Sequence, residues 1–344
     1  MRVHWTTDFE GVSFSFGFHV HNRLAREACV ARGLVLDRDA PVAVSCAPVM
    51  RFFAVPGKVN VLFTAWESPQ IPEGFREFLE RADLICVTAS FLVEPIRAVV
   101  PRTPVVVVPL GVDHSQFPFV DRTVAPRRAF TGKKRFRFLW CGAPNHRKGP
   151  RQVLEAWKAF DPDGPGAYLS DRVELYLKYS VPDRDSRGVE KHGNIIIDDR
   201  RVSVEELSRI YASAHCFVFP TAGEGFGLTA AEAAATGLPV IFPPATALTD
   251  LFDGSCGWPV RTIPTPLDWS WDNVDGMGTR LDCHVVAEVC DTKDLAAKML
   301  AAYRNPDLCC KLGAVASARM RSFTWERTAN LLIDAIRSVY PCPV

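Results

Sequence analysis

The sequence predicts an α/β protein made of two doubly wound domains that face a central cleft, and three observations carry that expectation. The chain has 344 residues and is 48% hydrophobic, enough for two domains that each bury a core. Apolar strand-like runs alternate with helical segments in both halves, which is the pattern of a parallel sheet covered on two faces. Between the halves, Asp121 to Lys134 (DRTVAPRRAFTGKK) breaks the alternation with charge, Pro126 and Gly132, and reads as the linker.

In the first half, Val59 to Thr64, Leu84 to Val87 and Val105 to Val108 read as strands, and Ala25 to Arg32 and Glu73 to Ala82 as helices. Gly11 and Gly17 suggest a loop after the first strand. His19 and His21 would share a face if extended and diverge if helical, and no third ligand accompanies them. In the second half the strands are Phe136 to Cys141, Val173 to Tyr179, Ile195 to Ile197 and Cys216 to Phe219. Ile263 to Cys283 shows little periodicity and reads either as a lid or as a surface loop, while Thr324 to Tyr340 reads as a helix.

The most informative stretch is Cys216 to Val240, CFVFPTAGEGFGLTAAEAAATGLPV. A short buried strand ends at Pro220. A loop follows with Gly223, Gly225 and Gly227 at alternate positions, where a backbone can approach a ligand closely. Leu228 to Thr236 is alanine-rich and stops at Gly237 and Pro239, the composition and ending of a short helix. A helix start offers unpaired N–H groups and a partial positive charge to phosphate or oxygen-rich ligands. Glu224 precedes this helix and Glu232 lies on its second turn. Two carboxylates so spaced can accept hydrogen bonds from hydroxyls at two points along one ligand, and a nucleotide sugar suits them. Carboxylates that merely complement the helix dipole are the plainer reading.

Glu224 to Glu232, in the setting EGFGLTAAE, resembles the E-x7-E signature of the retaining glycosyltransferases of family 4, which have the GT-B fold. Phe138 to Gly149 (FLWCGAPNHRKG) is similar to the strand, glycine turn and Lys-Gly pair of the same family, with Lys148 six residues after Gly142. Pro109 to Phe117 (PLGVDHSQF) resembles the segment that closes the family's first domain, and Thr64 to Pro72 (TAWESPQIP) an acceptor-side loop. The resemblance covers roughly residues 60 to 330.

It implies an acceptor-side domain over 1–125, a nucleotide-sugar-binding domain over 126–325, and a helix over 326–344 that crosses back to the first. It also implies roles for particular residues. Glu224 would contact the donor sugar and Glu232 the nucleotide ribose. The backbone at Gly225, Phe226, Gly227 and Leu228 would hold sugar or phosphate oxygens, with Gly142 beside the donor; the loop of Gly11 and Gly17, read from the glycines themselves, would approach the donor phosphates from the first domain. Val202 would lie against the base, and Lys148 would offset the charge that grows on the departing diphosphate. Lys148 and Glu224 are thus the catalytic candidates. Where many members have an arginine after the glycine, this chain has Ala143, so Arg147 is the candidate substitute. On the acceptor side, the nearest ionisable residue is Glu67.

Composition bounds the partners. Net charge is +1, from 40 basic and 39 acidic residues, so no whole-protein field favours nucleic acid or an anionic membrane. The basic run from Arg127 to Arg137 has only Phe130 and Phe136 beside it and reads as a solvated linker. No stretch approaches a membrane span, which leaves room for peripheral contact only. Eleven cysteines without a C-x-x-C pair, and an N-terminus without signal-peptide character, point to the cytoplasm. The pairs Asp37/Asp39, Asp161/Asp163 and Asp183/Asp185 look like turn residues, so neither a metal nor a cofactor is expected. The expected activity is retaining transfer of a sugar from a nucleotide-sugar donor to a hydroxyl acceptor. A nucleotide-sugar epimerase or phosphorylase of the same fold, or a weakly active nucleotide-sugar-binding protein, are the alternatives.

Overall fold

The computed structural model describes residues 1–6, 16–122, 135–160, 170–181, 185–271 and 281–341. Two parallel sheets dominate it. The first is ordered β2-β1-β3-β4-β5-β6, formed by β1 (Arg2–Trp5), β2 (Val35–Leu36), β3 (Val42–Cys46), β4 (Val59–Thr64), β5 (Leu84–Val87) and β6 (Val105–Val107). The second is ordered β13-β12-β11-β7-β8-β10-β9, from β7 (Phe136–Gly142), β8 (Val173–Tyr179), β9 (Val189–His192), β10 (Ile195–Asp198), β11 (Cys216–Val218), β12 (Val240–Phe242) and β13 (Gly257–Pro259). Only β9 runs antiparallel, against β10.

In the second sheet the order reverses beside β7, which has β8 on one side and β11 on the other. Such a switch point splays the loops that leave the strand ends and opens a crevice for a ligand. The loops after β7 and β11 are the two that the sequence singles out. Across from them lie the C-terminal ends of β4 and β5, so the two sheets meet through their strand ends: the Thr88 hydroxyl, just past β5, donates to the Gly225 carbonyl at 2.5 Å.

The helices are α1 (Phe16–Ala31), α2 (Arg76–Leu79), α3 (Val93–Val99), α4 (Pro150–Ala159), α5 (Val204–Ala212), α6 (Leu228–Ala235), α7 (Leu248–Leu251), α8 (Thr292–Arg304), α9 (Pro306–Met320) and α10 (Trp325–Val339). Helix α6 is rich in alanine because it is surrounded: Ala230, Ala231, Ala233, Ala234 and Ala235 are all buried. Small residues let α9 come close, and a Cβ on its Gly313 would stand 2.1 Å from the Gly237 carbonyl oxygen. The Ser317 hydroxyl donates to the Ala235 carbonyl at 2.8 Å. Helix α10 returns to the first sheet's side. A Cβ at Gly111 would lie 2.1 Å from the Trp325 nitrogen, and the Thr328 hydroxyl donates to the Pro109 carbonyl at 2.7 Å. The PLGVD segment therefore needs its glycine where the chain crosses back.

Three expectations change. Helix α1 starts at Phe16, so Gly17 lies in its first turn rather than in a loop; the buried spacing of His21, Asn22, Ala25 and Cys29 makes one helical face and outweighs the glycine signal. Glu73 to Ala82 is a 3-10 turn followed by the single turn of α2. Ile263 to Cys283 contributes to a long antiparallel hairpin, β14 (Thr262–Trp271) with β15 (Leu281–Cys290). Its inner face, including Trp269, Cys283, Val285 and Ala287, packs with Trp66, Phe75 and Leu79 of the first half. The alternation was hidden by Pro264 and Pro266, which are two apart and so leave both missing N–H groups on one edge of the strand.

Candidate donor site in the cleft

The loop after β7 and the loop after β11 hold each other by backbone. The Ala222 amide donates to the Arg147 carbonyl at 2.7 Å, and Gly149, at φ +73°, leaves only 2.2 Å between a Cβ and the Pro220 carbonyl oxygen. A side chain at position 149 would force the loops apart. Their contact brings Arg147 and Lys148 to Glu224. The Lys148 ammonium lies 2.5 Å from Glu224 Oε1, and Arg147 Nη1 lies 3.5 Å from the same oxygen while donating to the Gly223 carbonyl at 2.6 Å. The Thr221 hydroxyl is 3.1 Å from that carboxylate oxygen. Burial pulls the Lys148 pKa below its ordinary value, against the raising effect of Glu224. Lys148 also stands 5.5 Å from the centre of the Phe219 ring.

The Glu224 main chain is fixed from a third segment. Its amide donates to Thr246 Oγ1 at 3.1 Å, and its carbonyl accepts from the Ala247 amide at 3.3 Å. Thr246 has φ +50°, an uncommon value for a β-branched residue, and the bonds to Glu224 hold it there. Gly227, at φ +95°, then turns the chain into α6 without a side-chain cap. The first amides of a helix that starts so can receive a ligand's oxygens. The Phe226 ring is buried against Phe323, so only its backbone faces the loop.

Glu232 meets different surroundings. It sits half-buried on α6, and the Tyr211 hydroxyl of α5 donates to its Oε2 at 3.0 Å, while the Cys141 thiol at the end of β7 shares that hydroxyl. Burial raises the Glu232 pKa to about 7, against the lowering effect of the Tyr211 hydrogen bond.

Among the sequence candidates, the structure brings together Arg147, Lys148, Glu224, Gly225 and Glu67, whose Oε1 lies 3.1 Å from Arg147 Nη2. Glu67, expected on the acceptor side from sequence, thus engages Arg147, expected on the donor side. Gly142 ends β7, where the position a Cβ would take is 3.9 Å from Lys148 Cδ. Val202 lies just before α5, packed against the core that holds α6. Gly17 is exposed, and a Cβ there would meet nothing within 4 Å, so its place does not require glycine. Gly11 lies outside the described residues, as do Asp161, Asp163 and Asp183. His21 is buried beside Phe63 and His19 is exposed, so the two diverge as helix residues do. Sequence reasoning missed Thr221, Thr246, Tyr211, Cys141 and Thr88. Thr221 adjoins the glycine loop and Cys141 lies inside the FLWCGAPNHRKG motif, so both were within reach; Thr246, Tyr211 and Thr88 come from distant segments without a motif.

Comparison with known proteins adds to this geometry. Residues 135–265 match the family model described as glycosyl transferases group 1. That range contains both loops of the site. The chain carries a group 1 glycosyl transferase domain in a GT-B fold. It is 32% identical over 241 residues to a D-inositol 3-phosphate glycosyltransferase of Geodermatophilus obscurus, which covers 67% of this chain and 46% of the relative. The chain thus spans about half the length of that curated relative. Sucrose-phosphate synthase from Thermosynechococcus elongatus superimposes with a TM-score of 0.62 at 16% identity, covering 94% of this chain and 79% of that one. HepE from Anabaena, in complex with UDP and glucose, gives 0.63 at 12% identity, covering 94% and 83%. Both structural likenesses concern the fold.

Among the described residues, no helix is long and apolar enough to cross a membrane, and no group of three His, Cys, Asp or Glu side chains is placed to hold a metal ion.

Proposed function

We propose that this protein is a retaining glycosyltransferase of family 4 that moves a sugar from a nucleotide-sugar donor to a hydroxyl acceptor in the cytoplasm. The observation that carries the reading is the cluster of Lys148, Arg147 and Glu224 beneath the start of α6, at the switch point of the second sheet. A uridine nucleotide is the donor to try first, since HepE of the same fold is seen with UDP and glucose.

In this reading the diphosphate lies against Lys148 and the free amides of α6, and Glu224 accepts hydrogen bonds from the sugar. Glu232 accepts from the ribose, and Val202 borders the base. The bond from the anomeric carbon to the diphosphate breaks, and the acceptor oxygen bonds to that carbon on the same face. The leaving phosphate takes the acceptor's proton. Negative charge on the diphosphate grows as the bond lengthens, so Lys148 stabilises the transition state more than the ground state. Two cations and a helix start supply the positive charge, and no metal or cofactor enters the scheme.

The experiment is a screen of nucleotide sugars by thermal shift, followed by measurement of nucleoside diphosphate release with and without hydroxyl acceptors. Release that depends on acceptor supports transfer. Turnover of the donor alone would favour an epimerase, and binding without turnover a binding protein.

A further inference from the structure

We propose that Glu67 is a positioning residue of the donor site, which pairs with Arg147 and surrenders it to the donor diphosphate, so that donor binding opens the acceptor side. The inference rests on the donor-site reading above and adds an order of binding to it.

The loop that carries Glu67 leaves β4 in the first sheet, whereas Arg147 leaves β7 in the second. Their ion pair, at 3.1 Å, joins the two sides of the cleft, and both side chains are largely shielded, with 20% and 13% of their surface exposed. Arg147 reaches Glu67 with one guanidinium nitrogen and Gly223 and Glu224 with the other. The backbones touch as well. A Cβ at Gly223 would be 2.3 Å from the Glu67 carbonyl oxygen, and one at Gly225 would be 2.8 Å from Ala65 Cβ. Residues 65–67 therefore rest directly on the glycine loop, over the carboxylate assigned to the donor sugar.

Charge decides what moves. Arg147 and Lys148 face Glu67 and Glu224, two cations against two carboxylates. A diphosphate beside Lys148 adds negative charge to a balanced, poorly hydrated cluster, and one carboxylate must give way. The Glu224 carboxylate is held by Lys148 and Thr221, and its main chain by Thr246 and Ala247, all on its own side. Glu67 meets the cluster through Arg147 from across the cleft. Glu67 is the carboxylate that yields, and its departure frees Arg147 for the phosphates and lifts residues 65–67 from Gly223 and Gly225. The donor then binds first, and the acceptor enters beside it.

Calorimetry with UDP and, should UDP fail, the other common nucleoside diphosphates tests this on the full chain. Compared are wild type, Glu67→Gln, Arg147→Ala and the double variant. Removing the competing charge should tighten nucleoside diphosphate binding, by about fivefold, the order a partly shielded ion pair yields. The gain should shrink as salt is raised and vanish in the Arg147→Ala background. In turnover it should fall on the donor KM. A merely structural pair predicts the opposite sign, since loosening the cleft would weaken the ligand. Unchanged or weakened binding by Glu67→Gln, with wild type binding normally, overturns this proposal alone. Failure of wild type to bind any nucleoside diphosphate removes the donor reading and this proposal with it.

Discussion

Glu224 and Glu232 lie eight residues apart in one motif, yet the loop and the helix that carry them are built differently. Around Glu224, three loops converge and deliver two cations, a threonine hydroxyl and glycine-tight backbone contacts. Around Glu232, the neighbours are alanines and a tyrosine hydroxyl, and burial leaves its carboxyl poised near neutrality. One carboxylate belongs to a charge cluster that a diphosphate would rearrange. The other is a lone acceptor in an apolar wall, suited to hydroxyl groups.

The largest effect should come from the cation between the loops. Lys148→Ala should lower turnover by about a hundredfold or more, with a smaller loss of donor affinity, because leaving-group charge peaks in the transition state. Steady-state rates beside donor affinities would show it. Unchanged turnover would mean that the charged loop is not where the diphosphate leaves.

A smaller effect, roughly tenfold to a hundredfold in affinity, should separate the two glutamates. Glu232→Ala should weaken nucleoside diphosphate and nucleotide sugar alike, since both contain the ribose, whereas Glu224→Ala should mainly weaken the intact donor. Titration of both variants with both ligands checks the division. Equal losses throughout would erase it.

Protonation gives a milder handle on the helix. Glu232 accepts from ribose hydroxyls best when ionised, so nucleotide affinity should fall as pH drops below about 7. Tyr211→Phe removes the bond that lowers this pKa and should move the midpoint upward. For folding the sign is reversed: a carboxyl raised from 4.5 to about 7 makes a contribution that stabilises the fold least at high pH and is lost as pH rises through that window. Binding curves across pH, with Glu232→Gln as the flat reference, would show the trend. The smallest expected effect is none: exhaustive chelation should leave turnover unchanged, and loss restored by a divalent ion would contradict the assignment of charge to Lys148 and Arg147.

Much of this was legible in sequence where local pattern decides structure. β4, β5 and β8 run over the predicted residues, and α6 ends one residue short of Thr236. The pairing of Lys148 with Glu224 is not visible locally, although the two motifs hinted at one ligand. The structure shows why they meet, through the backbone contacts at Ala222, Arg147 and Gly149. What stayed hidden depends on segments far apart in sequence. Glu67 reaches Arg147 across the cleft, Thr246 holds the Glu224 amide, and Tyr211 reaches Glu232 from another helix. The β14–β15 hairpin stayed hidden for a local reason, since its prolines mask the alternation that its buried face obeys.

The central claim is that the start of α6 and the adjoining charged loop receive the diphosphate while Glu232 receives the ribose. Amide hydrogen exchange with and without a saturating nucleoside diphosphate tests it most directly. The account predicts slower exchange in two places, at residues 226–229, where α6 begins, and around residues 142–148. Protection confined to other segments, with these two unchanged under saturating ligand, would contradict it.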